Sequence, residues 1–113
     1  MNSLRNRVIL IGRLGAKPET KTLANGCLMA RFSIAITETY KNEQGQRINE
    51  THWHDLVAWG KAADIAARFL EKGKEIAIEG KLLTRQYLDK EGHKQYITEV
   101  VVHDMLMIGS KAF

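Results

Sequence analysis

One cysteine and one proline in 113 residues leave this chain without two common ways of fixing a fold. Cys27 has no second thiol to pair with, so no internal disulfide staples the chain, and a reducing compartment fits that usage. Aromatic residues are scarce, at 7%. No apolar run approaches the roughly 20 residues that a membrane-crossing helix needs. The opening MNSLRNR has no apolar stretch ahead of a small-residue cleavage site, so no secretory leader is predicted. A cytoplasmic location is expected. Residues 105–113 (MLMIGSKAF) contain no acid at all.

What is present describes an ordinary globular chain, 44% hydrophobic and 27% charged, predicted to form a single domain over residues 1–113. The charge is uneven. Residues 1–49 hold eight basic and three acidic side chains, and residues 50–113 hold nine and ten, so the net +4 is a +5 half and a −1 half. That asymmetry is compatible with a polyanionic partner, and is weak support for one.

Read in order, NRVILIGRL (6–14) is a strand rich in Val, Ile and Leu, with Gly12 suggesting a bulge or sharp bend. Residues 16–26 read as a loop with Pro18 and an Asn25-Gly26 turn. Leu28 to Thr37 alternates, placing Leu28, Ala30, Phe32, Ile34 and Ile36 on one face. Residues 38–50 (ETYKNEQGQRINE) read as a long polar connection. Residues 51–59 alternate again, with Leu56 and Ala58 on the apolar parity. Ala62, Ile65, Ala66, Phe69 and Leu70 then make the stripe of an amphipathic helix, stopped by Gly73. Residues 75–88 form a strand interrupted at Gly80. Asp89 to Gly92 is a turn, and 93–103 is the returning strand. Five strands with a helix between the third and fourth predict an all-β chain with one helix, the OB-fold, a five-stranded Greek-key barrel.

The solvent-side parity is unusual. Trp53 and Trp59 fall on the face of their strand where a core strand should be polar. Lys81, Leu83, Arg85 and Tyr87 share one parity of the next long strand. With Tyr40 and Arg31 they interleave flat rings with cations, the combination single-stranded nucleic acid requires: bases stack on rings and cations follow phosphates, without a hydrogen-bond code. The plainer reading makes the rings core or subunit contacts and the charges a solvated face. Four aromatics on adjacent elements, two with basic neighbours, favour an interface.

Other chemistry finds little support. His52 and His54 have ligand-like spacing, but no third or fourth ligand accompanies them, so no metal site is predicted. Gly12-x-x-Gly15 is too short a signal for a phosphate loop, and no nucleophile stands at a recognisable spacing from a base. Asp55 is read as a strand-surface residue. Neither an enzyme nor a cofactor is predicted.

NRVILIGRLGAKPE (6–19), FSIAITETY (32–40), THWHDLVAWGKAADIAARFLEKG (51–73) and IAIEGKLLTRQYLDKEGHKQYITEVVV (76–102) together resemble the bacterial single-stranded DNA-binding protein family. The likeness covers about 6–109. It implies an OB-fold protomer in a homotetramer that wraps single-stranded DNA in replication, recombination and repair, with a nucleoid association. By the resemblance, the stacking rings correspond to Tyr40, Trp53, Trp59 and Tyr87, and matching basic positions to Lys21, Lys41, Lys61, Lys72 and Arg85. His54 corresponds to a histidine associated with subunit contact.

The chain departs from the family's pattern in places. Asp55 stands where the family is often basic, Leu83 and Gln86 replace residues that are often basic, two tyrosines stand at tryptophan sites, and Arg13 replaces a frequent asparagine. The Gly/Pro/Gln-rich linker and acidic tip that recruit partner proteins are missing from this sequence, so tail-mediated partners are not expected. Two rival readings remain: an OB-fold assembly protein of primosome type, whose aromatic face meets protein, and an RNA-binding module.

Overall fold

Apolar and polar residues alternate through most of this chain, and alternation makes strands. The computed structural model describes residues 4–108. After a 3-10 turn at Leu4–Asn6 come β1 (Val8–Leu14), β2 (Glu19–Thr22), β3 (Leu28–Lys41) and β4 (Arg47–Trp59). The helix α1 (Gly60–Phe69) follows, then β5 (Glu75–Leu88) and β6 (Lys94–Ile108). The strands lie in the order β1-β5-β6-β4-β3-β2, and β1 also pairs with β3 through Arg13↔Ala35 and Leu14↔Ile34. That last pairing closes a barrel of β1, β3, β4, β6 and β5, with α1 between its third and fourth strands in chain order. This is the expected OB-fold.

The inner parity of each strand fills the barrel. Leu14, Ala30, Phe32, Ile34, Leu56, Ala58, Ile76, Ile78, Val100 and Val102 form one buried cluster. Each large aliphatic chain buried this way contributes about 1.5–3 kcal/mol relative to exposure. Ala63, Ala66 and Leu70 bring α1 onto it. Phe69, expected on the helix's core stripe, is instead 52% exposed. The face that packs is the narrower one of Ala62, Ala63 and Ala66, with Leu70 just past the helix end.

Four other expectations are corrected. The segment 16–26 contains β2, paired from Glu19↔Arg31 to Thr22↔Leu28; a short strand whose residues are all exposed has no apolar alternation to reveal it. Residues 38–50 are not a slack connection. β3 and β4 continue as a ribbon to Lys41↔Arg47, with side-chain bonds Thr37–Thr51 at 3.3 Å and Thr39–Asn49 at 2.8 Å. Both faces of that ribbon meet water, so apart from Tyr40 and Ile48 its strands are polar. Of the bulge or sharp bend expected at Gly12, the bulge is absent: β1 runs in unbroken register with β5 through Gly12↔Ile76. A Cβ there would lie 2.6 Å from the Ala35 carbonyl oxygen, so the glycine permits β1 to approach β3. Finally, Met105 to Ile108 belong to β6, while residues 109–113 lie outside the described residues.

Two hairpin turns repeat one design. Asn42 Oδ1 accepts from the N–H of Gln44 and Gln46 at 3.0 and 2.9 Å, and Gly45 follows at φ +80°. Asp89 Oδ1 accepts from the N–H of Glu91 and His93 at 2.9 and 2.8 Å, and Gly92 follows at φ +84°. An Asx side chain opens each turn and a left-handed glycine closes it. The hydrogen bond from the His93 N–H leads in holding the Asp89 carboxyl below its ordinary range. Beyond the barrel, both ribbons project as arms.

Candidate nucleic-acid interface

Strand register decides which predicted residues share a surface. Across the outside of the barrel, one row reads Lys21–Met29–Trp59. The next reads Glu19–Arg31–Val57–Val101–Lys81, running from β2 through β3, β4 and β6 to β5. Ser33 pairs with Asp55 and Ala35 with Trp53, and on the neighbouring strands Leu83 pairs with Glu99, Arg85 with Ile97 and Tyr87 with Gln95. Parity therefore brings Lys21, Arg31, Trp53, Trp59, Arg85 and Tyr87 onto one continuous face. Trp53 is 59% exposed and Trp59 42%.

Other expected residues sit differently. Lys61 lies in the first turn of α1, two residues after Trp59. Lys41 points to the Trp53 side of the β3–β4 arm, paired with Arg47. Tyr40 occupies the opposite side, across from Ile48 and two residues from Glu38. Lys72 lies in the turn between α1 and β5, and no strand pairing ties it to the face.

His54 is half-buried on that opposite side. It lines a groove of about 550 Å³ with Ile9, Leu10, Ile11, Ile36 and His52. Ile9 is 64% exposed, an apolar strand surface left open beside His54. His52 Nε2 lies 3.2 Å from Glu38 Oε1. Among the described residues, three candidate metal ligands converge at Asp89, Glu91 and His93 and not at His52 and His54; Asp89 Oδ1 is already taken by its turn.

Two features of the face were not legible in the sequence. Gly15 lies beneath the Trp53 indole, where a Cβ would come within 2.6 Å of the ring. The ring therefore rests on bare backbone. Glu99 lies beneath two of the predicted cations, only 3% exposed. Its carboxylate accepts from Arg31 Nη1 on β3 and, at 3.1 Å, from Arg85 Nε on β5. Burial pushes the Glu99 carboxyl upward, but the hydrogen bonds and charges of Arg85 and Arg31 outweigh it and hold the group below its ordinary value. The one sequence sign was an acid inside the apolar run ITEVVV (97–102).

Between Trp53 and the turn after β1 opens a cleft of about 500 Å³ floored by Phe32 and Leu56. Its polar lining includes Arg31, Ser33, Asp55 and Glu99. The outer face thus combines exposed rings, fixed guanidinium groups and a recess beside one indole. It can stack flat rings and attract anions along its rim.

Known proteins resemble this chain in sequence and share its barrel. A family model, the Single-strand binding protein family, matches residues 5–108. The chain is 46% identical over 107 residues to Single-stranded DNA-binding protein 1 of Chlorobaculum tepidum, covering 94% of this chain and 66% of that protein. It is 39% identical over 106 residues to the Single-stranded DNA-binding protein of Neisseria meningitidis, covering 94% of this chain and 61% of that one. The chain thus spans a little under two thirds of those relatives' length. Among solved structures, the Plasmodium falciparum SSB complex with ssDNA superposes with a TM-score of 0.86 at 28% identity, covering 96% of this chain and 100% of that one. A deletion mutant of the single-stranded DNA binding protein from Thermus aquaticus gives 0.82 at 28% identity, covering 94% and 51%. Matched over nearly all of its described residues, and sharing the barrel that carries the rings, the chain belongs to the single-strand binding protein family.

Proposed function

We propose that this chain binds and protects single-stranded DNA during replication, recombination and repair, in the cytoplasm and at the nucleoid. The observation that carries the reading is the single outer face on which Trp53, Trp59, Arg85 and Tyr87 meet. Bases stack on the rings, each for about 1–3 kcal/mol, and Lys21, Lys61, Arg31 and Arg85 meet phosphates. Tyr40 and Lys72, which lie away from that face, serve strand that continues around the protomer, and Lys41 extends the face along the β3–β4 arm. Stacking reads no base edge, so binding is broadly tolerant of sequence. The family is one of non-enzymatic DNA-binding proteins. Quenching of tryptophan emission by thymidine oligomers tests the reading.

The reading includes a homotetramer. The open groove at His54, Ile9 and Ile11 supports it, since exposed apolar strand surface of this kind is covered by a subunit more readily than by DNA. A second reading, an assembly protein whose aromatic face meets protein, draws on Asp55, an acid on the face that should attract phosphate. Feeble DNA affinity in a dimer would favour it.

A further inference from the structure

Asp55 is the residue that a phosphate-binding surface least explains. It follows Trp53 by two positions on the same side of β4, so it borders the recess that the indole walls. Ser33 Oγ donates to Asp55 Oδ1 at 2.9 Å, which holds that oxygen toward β3. No described cation pairs with it: the guanidinium groups of Arg31 and Arg85 are bound to Glu99, and Lys17, which also lines the cleft, pairs with Glu71 at 3.9 Å. Oδ2 is left free at the cleft. A bare carboxylate repels phosphate and favours, at its own place beside Trp53, a group that donates hydrogen bonds.

A nucleobase stacked on Trp53 can turn its Watson–Crick edge to that position. Cytosine, adenine and guanine each carry an exocyclic amine there, and a carboxylate accepts well from such a group, as from cytosine N4. Thymine offers one N–H flanked by two carbonyl oxygens, which face the carboxylate with like polarity. A base without the amine also leaves Oδ2 desolvated and unpaired.

We propose that the Trp53–Asp55 recess is a base-reading subsite, in which a base stacked on Trp53 donates its exocyclic amine to Asp55 Oδ2. The subsite favours amine-bearing bases over thymine within a surface that is otherwise tolerant. It rests on the single-stranded DNA reading above and refines it. Ser33 is a positioning residue: it turns the carboxylate without touching the base.

The test compares oligomers of equal length made of deoxythymidine, deoxycytidine, and the 2-pyrimidinone nucleoside, which is cytosine without its amine. Backbone stiffness differs among them, so each affinity ratio is read against the same ratio in a variant. The deoxycytidine-to-deoxythymidine ratio should be roughly five- to tenfold higher in the wild type than in Asp55→Ser, the lower range for a specific base contact. The advantage of deoxycytidine over 2-pyrimidinone should vanish in that variant. Asp55→Asn can keep the Ser33 bond and turns an amide N–H₂ to the recess, so it should shift preference toward thymine. Asp55 is exposed, and an unchanged urea midpoint establishes that each variant is folded. If Asp55→Ser strengthens all three oligomers equally, Asp55 acts only as a repulsive charge and the subsite is overturned. Equal ratios in wild type and variants overturn it too. Failure of the wild type to bind any oligomer would overturn the DNA-binding reading instead.

Discussion

Glu99 lies under Arg85, its carboxylate 3.1 Å from the guanidinium Nε, and the same carboxylate holds Arg31 from the other side. One buried acid thus joins β3, β5 and β6 at the base of the β5–β6 arm. It fixes two cations on the face while offsetting one of their charges. Glu99→Gln should therefore do two opposite things. Arg31 and Arg85 are 37% and 43% exposed and can turn to water, so the stability loss should be about 1–3 kcal/mol, below that for a fully buried pair. DNA binding should gain about one phosphate contact, steepening the salt slope by roughly 0.7. The folded carboxyl titrates below its ordinary value of 4.5, so its stabilisation is complete above that value and is lost as pH falls through the folded one. Urea midpoints measured down the acid range should show wild type and Glu99→Gln separated at neutral pH and converging in acid.

Gly15→Ala tests the seat of Trp53. A Cβ at that position meets the indole at 2.6 and 2.8 Å, and a partly exposed ring can swing away where backbone could not. Stability should change little. Trp53 should tilt off its seat, shifting tryptophan emission of the free protein and reducing the quench on DNA addition by about one stacking contact.

Gly80→Ala should be far more damaging. A Cβ there would sit 2.0 Å from the Val101 carbonyl oxygen, at the place where the β5–β6 register shifts between Glu79 and Gly80. Backbone on both sides has to move. A loss of about 3 kcal/mol or more is expected by urea unfolding.

The barrel was readable because its inner residues obey a period of two: Ala30, Phe32 and Ile34, then Leu56 and Ala58, announce both strand and face. The arms were harder. Thr37 to Arg47 is polar on both sides because both sides meet water, and a solvated ribbon looks like a loop. The aromatic face was legible from parity at Trp53, Trp59, Arg85 and Tyr87. Glu99 and Gly15 were not, since their roles depend on which side chain crosses over them from another strand. Asp55 stood out in sequence as an acid among rings, and only the free Oδ2 beside the recess gives it a use.

The groove at His54 bears on assembly. Ile11→Lys places a charge on the exposed apolar side of β1 without touching the barrel interior or the aromatic face. Sedimentation should show the wild type as a tetramer and the variant as a smaller species, with its urea midpoint measured at low concentration nearly unchanged. A tetramer that survives the substitution would remove this groove from the interface.

The proposed function turns on stacking of single-stranded DNA bases by exposed tryptophans on a cationic face. Titration of the protein with thymidine oligomers of increasing length, followed by tryptophan fluorescence across a series of salt concentrations, tests it most directly. Emission should quench to saturation, tighten with length until the face is filled, and show an affinity that falls steeply and log-linearly with salt. Emission unchanged by the oligomers at low salt would contradict the account.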